Sequence, residues 1–247
     1  MRCPVRDTDP AFSRLVSGKT VAVVGPARTL VGKKRGQHID SHDLVVRFND
    51  AGDLPTRPEL VPDIGSRTDI LYCNQVILRH ALAGGASWDG LAYVVCTNNS
   101  LSFTADGRPE PMCDRQDRDV MTRLAAALAG QGSTTRWRVV RAASEELSRQ
   151  LHGHWPRTGL VGIADLLSFG VGRLCVAGMT FYHGGGHLLM PAAHELHPLK
   201  NRDGTWARSP SGVGHDSYRE LEVMRAFVRT YGGVLEVDET LAALLND

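Results

Sequence analysis

The chain has 247 residues, with 28 Lys and Arg against 27 Asp and Glu, so its formal net charge is +1. The two signs are interspersed, which argues against a broad nucleic-acid or membrane surface, and no apolar run approaches the ~20 residues of a membrane span. The length suits one large domain, residues 1–247, with 1–17 read as an N-terminal extension.

The opening MRCPVRDTDP does not resemble a signal peptide. The five cysteines, Cys3, Cys73, Cys96, Cys113 and Cys175, are odd in number, widely spaced and without a CxxC pair. Neither a zinc site nor a disulfide framework is indicated, and a reduced, cytoplasmic protein is expected.

In chain order, strands are expected at Val21–Gly25, Leu44–Phe48, Asp69–Cys73, Ala92–Thr97, Arg136–Arg141, Leu174–Gly178 and Val234–Val237. Helical patterns lie between them, clearest at Asp117–Leu128, Ser144–Leu151, Leu160–Phe169 and Ser217–Tyr231. This alternation predicts an α/β fold: a Rossmann-like, mostly parallel seven-stranded sheet flanked by helices in a single domain. Thr180 to Gly214 is too long for an ordinary connection and reads as an active-site loop.

The first strand, Val21 to Val24, ends in Gly25, and a basic segment with Gly32 and Gly36 follows, where backbone can approach a ligand. Asp40, Ser41, His42 and Asp43 precede the second strand, and Arg47 and Asn49 stand at its far end. Ligands of open α/β sheets bind outside the carboxyl ends of strands, so Gly25, Arg47 and Asn49 are candidates for binding one. Asp40 and Asp43 read equally well as a helix cap and a turn. Further on, Pro156-Arg157-Thr158-Gly159 opens a helix, whose N–H groups suit an anion, although Thr158 also reads as an ordinary cap. His215 precedes the last long helix, with Glu220 on it, placed either to orient the loop or to pair with Arg219.

Val21 to Thr68 resembles the large motif of the eukaryotic-type sialyltransferase family, through Gly25, Leu30, Gly32, Gly36, Ile39–Asp43, Val45, Arg47, Asn49, Ala51 and Gly65-Ser66-Arg67-Thr68. Arg157-Thr158-Gly159 resembles the small motif, and His215 with Glu220 the very small motif, H-x-x-x-x-E. The resemblance implies an inverting glycosyltransferase that needs no metal or other cofactor. His215 would be the general base, and a nucleotide-sugar donor would lie near Gly25, Arg28, Thr29, Arg47, Asn49, Arg157, Thr158 and Gly159.

Departures qualify the resemblance. The family's GNSGN becomes Gly25-Pro26-Ala27-Arg28-Thr29, losing two asparagines, and the serine of its small motif becomes Arg157. Its disulfide would fall at Val21 and Gly170, where neither residue is Cys. For its third motif two candidates stand: Phe181-Tyr182-His183 with His187, and His194-Glu195-Leu196-His197. Tyr182 and His183 are therefore candidate acceptor-side or supporting residues. Basic groups at Arg28, Lys33, Lys34, Arg35 and Arg157 suit a diphosphate or a sugar carboxylate.

Two D-x-D sequences, Asp7-Thr8-Asp9 and Asp117-Arg118-Asp119, read as a frayed tail and a helix start, so no metal is expected. The members with a Golgi anchor and stem differ from this chain, which is expected to start almost at its catalytic domain. The acceptor is expected to be a soluble small molecule, such as cytosine in nucleoside-antibiotic assembly, with a donor sugar such as glucuronate. CMP-sialic acid transfer to a glycan is the alternative, and a nucleotide-binding protein without chemistry the third reading.

Overall fold

Five-residue apolar runs bounded by polar turns become the interior strands of one sheet. In this computed structural model, residues 9–97, 101–103, 109–111, 114–183, 186–189 and 215–247 are described. The strands are β1 (Thr20–Val24), β2 (Leu44–Phe48), β3 (Ile70–Asn74), β4 (Tyr93–Thr97), β7 (Arg136–Val140), β8 (Arg173–Ala177) and β9 (Leu235–Val237). They form a seven-stranded sheet in the order β7-β4-β3-β2-β1-β8-β9, parallel at every pairing. All seven expected strands are present. A short antiparallel pair between them, β5 (Leu101–Phe103) with β6 (Pro109–Pro111), was not expected.

From β1 the chain winds outward to β7 and then returns to place β8 on β1's other side. The switch point therefore lies between the ends of β1 and β8, where open α/β sheets hold ligands. The helices are α1 (Pro10–Val16), α2 (Gly36–Asp40), α3 (Val61–Ile64), α4 (Gln75–Ala83), α5 (Asp114–Gly130), α6 (Ala142–Gln150), α7 (Thr158–Ser168), α8 (Ser217–Tyr231) and α9 (Glu239–Asn246).

Alternate residues of each strand face different layers. Val21, Val23, Val46, Tyr72 and Val176 join a large core with α7 and α8, while Ala22, Val24, Val45 and Ala177 pack with Leu30, Ile39, Leu54 and Ile64 on the other face. Helix α7 is apolar all round because it is buried all round, from Thr158 to Leu167. Its one acid, Asp165, accepts from Tyr72 Oη at 2.8 Å and pairs with buried Arg138.

Helix α1 is packed into the domain. Asp9 caps α1, accepting from Ala11 N and Phe12 N at 3.0 and 2.9 Å. Phe12 and Val16 are fully buried, and Phe12 stacks edge-on with Tyr93 and Phe169, under the Arg138 guanidinium. Burying such a side chain is worth roughly 1.5–3 kcal/mol, so residues from Asp9 onward belong to the domain. Where the family places its disulfide, the backbone is instead tied by hydrogen bonds from Gly18 N to Gly170 O and Gly172 N to Lys19 O, both 2.9 Å.

Candidate functional site

The ends of β1 and β8 touch. Gly25 N donates to Ala177 O at 2.8 Å, and a Cβ on Gly25 would collide with Gly178 O and Met179 Cγ. Gly178, in turn, has φ +67° and would meet Leu30 with any side chain. Gly25 is thus fixed by strand packing at the switch point as much as by any ligand. The turn after it is met by residues 186–188: Ala27 bridges to His187, Arg28 N donates to Gly186 O at 3.2 Å, and Leu188 N to Pro26 O at 2.8 Å. Arg28 is exposed and Thr29 half-buried, and Thr29 Oγ1 has no hydrogen-bond partner among the described residues.

Most of the block from Gly32 to Thr68 is a set of interlocks. Asp63 gathers the basic loop, accepting from Gly32 N and Lys34 N, each at 2.8 Å. Gly36 closes against Val61 and Pro62, not against a ligand. Asp40 accepts from Ser66 N and Oγ, both 2.8 Å, and Asp43 from Thr20 N at 2.8 Å. Arg67 donates to the carbonyls of Asp40 and Asp43 and to Asp69 Oδ2 at 2.7 Å.

Arg47 is fully buried, its guanidinium donating to Ile64 O at 2.6 Å, Arg67 O at 3.0 Å and Thr68 Oγ1 at 3.1 Å. Burial pulls its pKa down to about 10, against the pull of Asp40 and Asp69. Expected as a donor-binding residue, Arg47 braces the carbonyls of the GSRT turn, while its Nη1 has no hydrogen-bond partner among the described residues. Asn49 adopts φ +50° at the end of β2, and its Oδ1 accepts from Asn74 N at 2.9 Å. That leaves its amide N–H groups for a ligand.

Helix α7 begins beside these strand ends. A Cβ on Gly159 would collide with Met179 Cε, and one on Gly162 with Phe48. Arg157, not Thr158, is the N-cap, and its side chain makes no cap hydrogen bond. Its backbone N donates to Glu220 Oε1 at 2.6 Å, and its guanidinium pairs with Glu220 Oε2 while lying 4.6 Å over the Tyr182 ring. Glu220 therefore pairs with Arg157, and Arg219 takes Asp216, at 3.1 Å. Glu220 is fully buried; burial raises its pKa, which Arg157 pulls back. Arg157's charge is matched inside the protein by Glu220. Lys33 and Arg35 are likewise paired, both with Glu239.

His215 lies just ahead of α8. Its Nδ1 is 2.7 Å from Trp155 O, and since a carbonyl only accepts, Nδ1 carries the proton and Nε2 the lone pair. Burial pulls its pKa down to about 4, with Arg157 adding to the effect and the Trp155 carbonyl opposing it. The imidazole is consequently neutral near pH 7. Asp216, fully buried, caps α8 by accepting from Arg219 N at 3.0 Å, and so fixes where the helix and His215 begin.

Phe181 and Tyr182 both sit at positive φ, 49° and 64°. His183 lies edge-on to Tyr218, centroids 4.6 Å apart, and burial lowers its pKa. Of the two His/Tyr clusters, Tyr182-His183 with His187 thus touches α7 and α8; His194-Glu195-Leu196-His197 and most of the Thr180–Gly214 segment lie outside the described residues.

Contacts link these candidates in sequence. Gly25 meets Met179, Met179 meets Gly159, Arg157 joins Tyr182 to Glu220, and Tyr218 joins His183 to the helix that starts after His215. Sequence reading missed Met179, Asp63 and Trp155. Trp155 acts through its carbonyl, which no side-chain pattern reveals. Of the two D-x-D sequences, Asp9 caps α1, and Asp117 and Asp119 lie within α5.

The sequence profile of glycosyltransferase family 29 (sialyltransferase) matches residues 9–170. Over 68 residues the chain is 38% identical to sialyltransferase-like protein 2 of Oryza sativa subsp. indica, a match spanning 28% of this chain and 16% of the rice protein. A mammalian sialyltransferase superposes with TM-score 0.51 at 18% identity, covering 94% of this chain and 74% of that one. Monofunctional alpha-2,3-sialyltransferase Cst-I of Campylobacter jejuni does so with TM-score 0.51 at 12% identity, covering 91% and 78%. At these identities the structural likeness speaks for the fold, while the profile spans well over half of the chain. The chain belongs to glycosyltransferase family 29, the sialyltransferase family.

Proposed function

We propose that the protein is an inverting glycosyltransferase in which His215 Nε2 takes the proton of the acceptor. The observation that carries this reading is the hydrogen bond of His215 Nδ1 to Trp155 O, which fixes the tautomer with its lone pair on Nε2. The acceptor's oxygen or nitrogen attacks the anomeric carbon as its proton passes to Nε2. The bond from that carbon to the phosphate oxygen breaks with its electron pair, and the nucleotide leaves. The unpaired N–H groups at the start of α7, around Thr158 and Gly159, suit the departing phosphate charge. In this reading Gly25 and the Asn49 amide meet the donor, and Tyr182 and His183 serve the acceptor.

Its partners are then a nucleotide sugar and an acceptor. For the finer choice, the altered loop Pro26-Ala27-Arg28-Thr29 supports a donor other than CMP-sialic acid. Asparagine both donates and accepts, proline offers no side-chain hydrogen bond, and arginine only donates with a fixed charge. Arg28 remains as the exposed cation of that loop, which suits a diphosphate carrying an acidic sugar such as glucuronate, passed to a small acceptor such as a nucleobase. Buried thiols at Cys73 and Cys96 support a reducing, cytoplasmic setting, and no helix among the described residues is long and apolar enough to cross a membrane. Family membership favours a second reading, CMP-sialic acid transfer to a glycan.

Calorimetric titration with UDP-glucuronate, CMP-sialic acid and the free nucleotides, followed by transfer assays and analysis of the product's anomeric configuration, tests the proposal. Inversion with loss of transfer in His215→Ala supports the mechanism. Tightest binding and fastest transfer with CMP-sialic acid moves the donor to the second reading. Nucleotide binding with no transfer from any donor leaves a binding protein.

A further inference from the structure

The sheet face away from α7 carries a cluster that glycosyl transfer does not use. His38 in α2 and His42, just past its end, are separated by four residues, the spacing that puts two side chains on one helical face. Cys175 projects from the middle of β8, on the same face as Ala177. One ligand atom from each of His38, His42 and Cys175 lies within 4.8 Å of the others. The two imidazole centroids are 5.0 Å apart with the rings at 75°, so both rings reach the same point without stacking.

His42 is buried, and its Nδ1 donates to His38 O at 3.0 Å and Ile39 O at 3.2 Å. That bond to backbone carbonyls turns Nε2 outward and sets its lone pair, the arrangement found behind metal-bound histidines. The charges around the cluster are mixed. Burial, then His42, Arg173 and Arg35, disfavour a charged His38, and Glu236, held by Arg173 at 2.6 and 2.7 Å, favours it. Burial raises the Cys175 thiol's pKa. Neutral imidazoles are the form that binds metal.

We propose that His38, His42 and Cys175 form a binding site for a borderline-soft divalent cation of the zinc class, separate from the catalytic site. A His₂Cys set suits zinc, with the fourth position left to water or to Glu236 if it leaves Arg173. As the sulfur–metal bond forms, the Cys175 thiol gives its proton to solvent. The cation ties α2 to β8 across the face, so the site is structural. The sequence shows only the H-x-x-x-H of His38 and His42; Cys175 follows 133 positions after His42 and belongs to no CxxC pair.

The test uses the full chain, stripped with chelator and dialysed into metal-free buffer. Titration with zinc alone should give one equivalent per chain and raise the thermal midpoint. Cobalt(II) in its place should show a thiolate-to-metal charge-transfer band. Cys175→Ser should abolish that band, and His38→Ala, at an exposed position, should weaken zinc binding by about tenfold or more with the circular dichroism unchanged. Substoichiometric binding overturns the proposal. So does stoichiometric binding that survives both substitutions, which would place the metal elsewhere, for instance on His194 and His197.

Discussion

At the scale of one residue, the proposed mechanism turns on His215. Its environment holds the pKa at about 4, below the ordinary 6.5. A base that weak is fully available near neutrality but has little driving force for accepting a proton, so its contribution belongs to the lower part of the usual ~10²–10⁴-fold range. His215→Ala should therefore lower turnover by about two to three orders of magnitude and leave donor affinity nearly unchanged. Retention of more than half of the turnover would remove His215 from the mechanism. The sign of the pH effect follows from the depressed value. Between about pH 4 and 6.5 the unfolded chain binds a proton at this position that the folded chain does not, so stability is fully present above that window and falls as pH drops through it. The acid limb of kcat/KM should lie near pH 4 to 5 and not at 6.5, with donor-free denaturant titrations losing stability over the same interval. An acid limb at 6.5 would mean that the imidazole is solvated in the working enzyme.

Helices α7 and α8 depend on each other through Arg157 and Glu220, a pair joining the start of α7 to the helix behind His215. Glu220 is fully buried, so removing Arg157 leaves an uncompensated charge, at a cost of roughly 3–5 kcal/mol. Arg157→Ala should show a loss of that size in urea unfolding, and Arg157→Ala with Glu220→Gln should recover part of it. A single variant within experimental error of the parent would show that the helices are held by packing alone. Gly25→Ala tests the other boundary of the site. Its methyl would collide with the Gly178 carbonyl and Met179, so the strand ends must separate, and the variant should be markedly less stable than Gly233→Ala, whose surroundings are open and whose φ is ordinary. Equal stabilities would mean that the β1–β8 contact yields easily.

Across the whole molecule, the proposed mechanism has the phosphate charge met by a helix start and not by a strand-end carboxylate pair. Turnover should accordingly be unchanged in EDTA, even though the chelator strips a cation bound at His38, His42 and Cys175 and lowers the thermal midpoint. Activity lost in EDTA and restored by Mg²⁺ or Mn²⁺ would overturn the metal-independent mechanism. The parallel winding explains why the two sites are apart: residues after the ends of β1, β2 and β8 meet at the switch point, whereas His42 stands before β2 begins and Cys175 lies mid-strand on one face.

The sequence by itself determined the alternation of strands and helices, the seven strands within a residue or so, and the family, because apolar runs of five and the Gly25–Thr68 block are local patterns. It also placed His215 at a helix start. The tertiary structure decided what those residues do. Asp40, Asp43, Arg47 and Arg67 turned out to hold backbone, since a motif spells residue types but not which carbonyls lie within reach. Arg157 faces inward because Glu220, far along the chain, is buried beside it, and α1 joins the core because Arg138 and Phe169 receive Phe12. The tautomer of His215 rests on a carbonyl of Trp155. Backbone groups are the same in every residue, so only the folded chain can show which of them a side chain will meet.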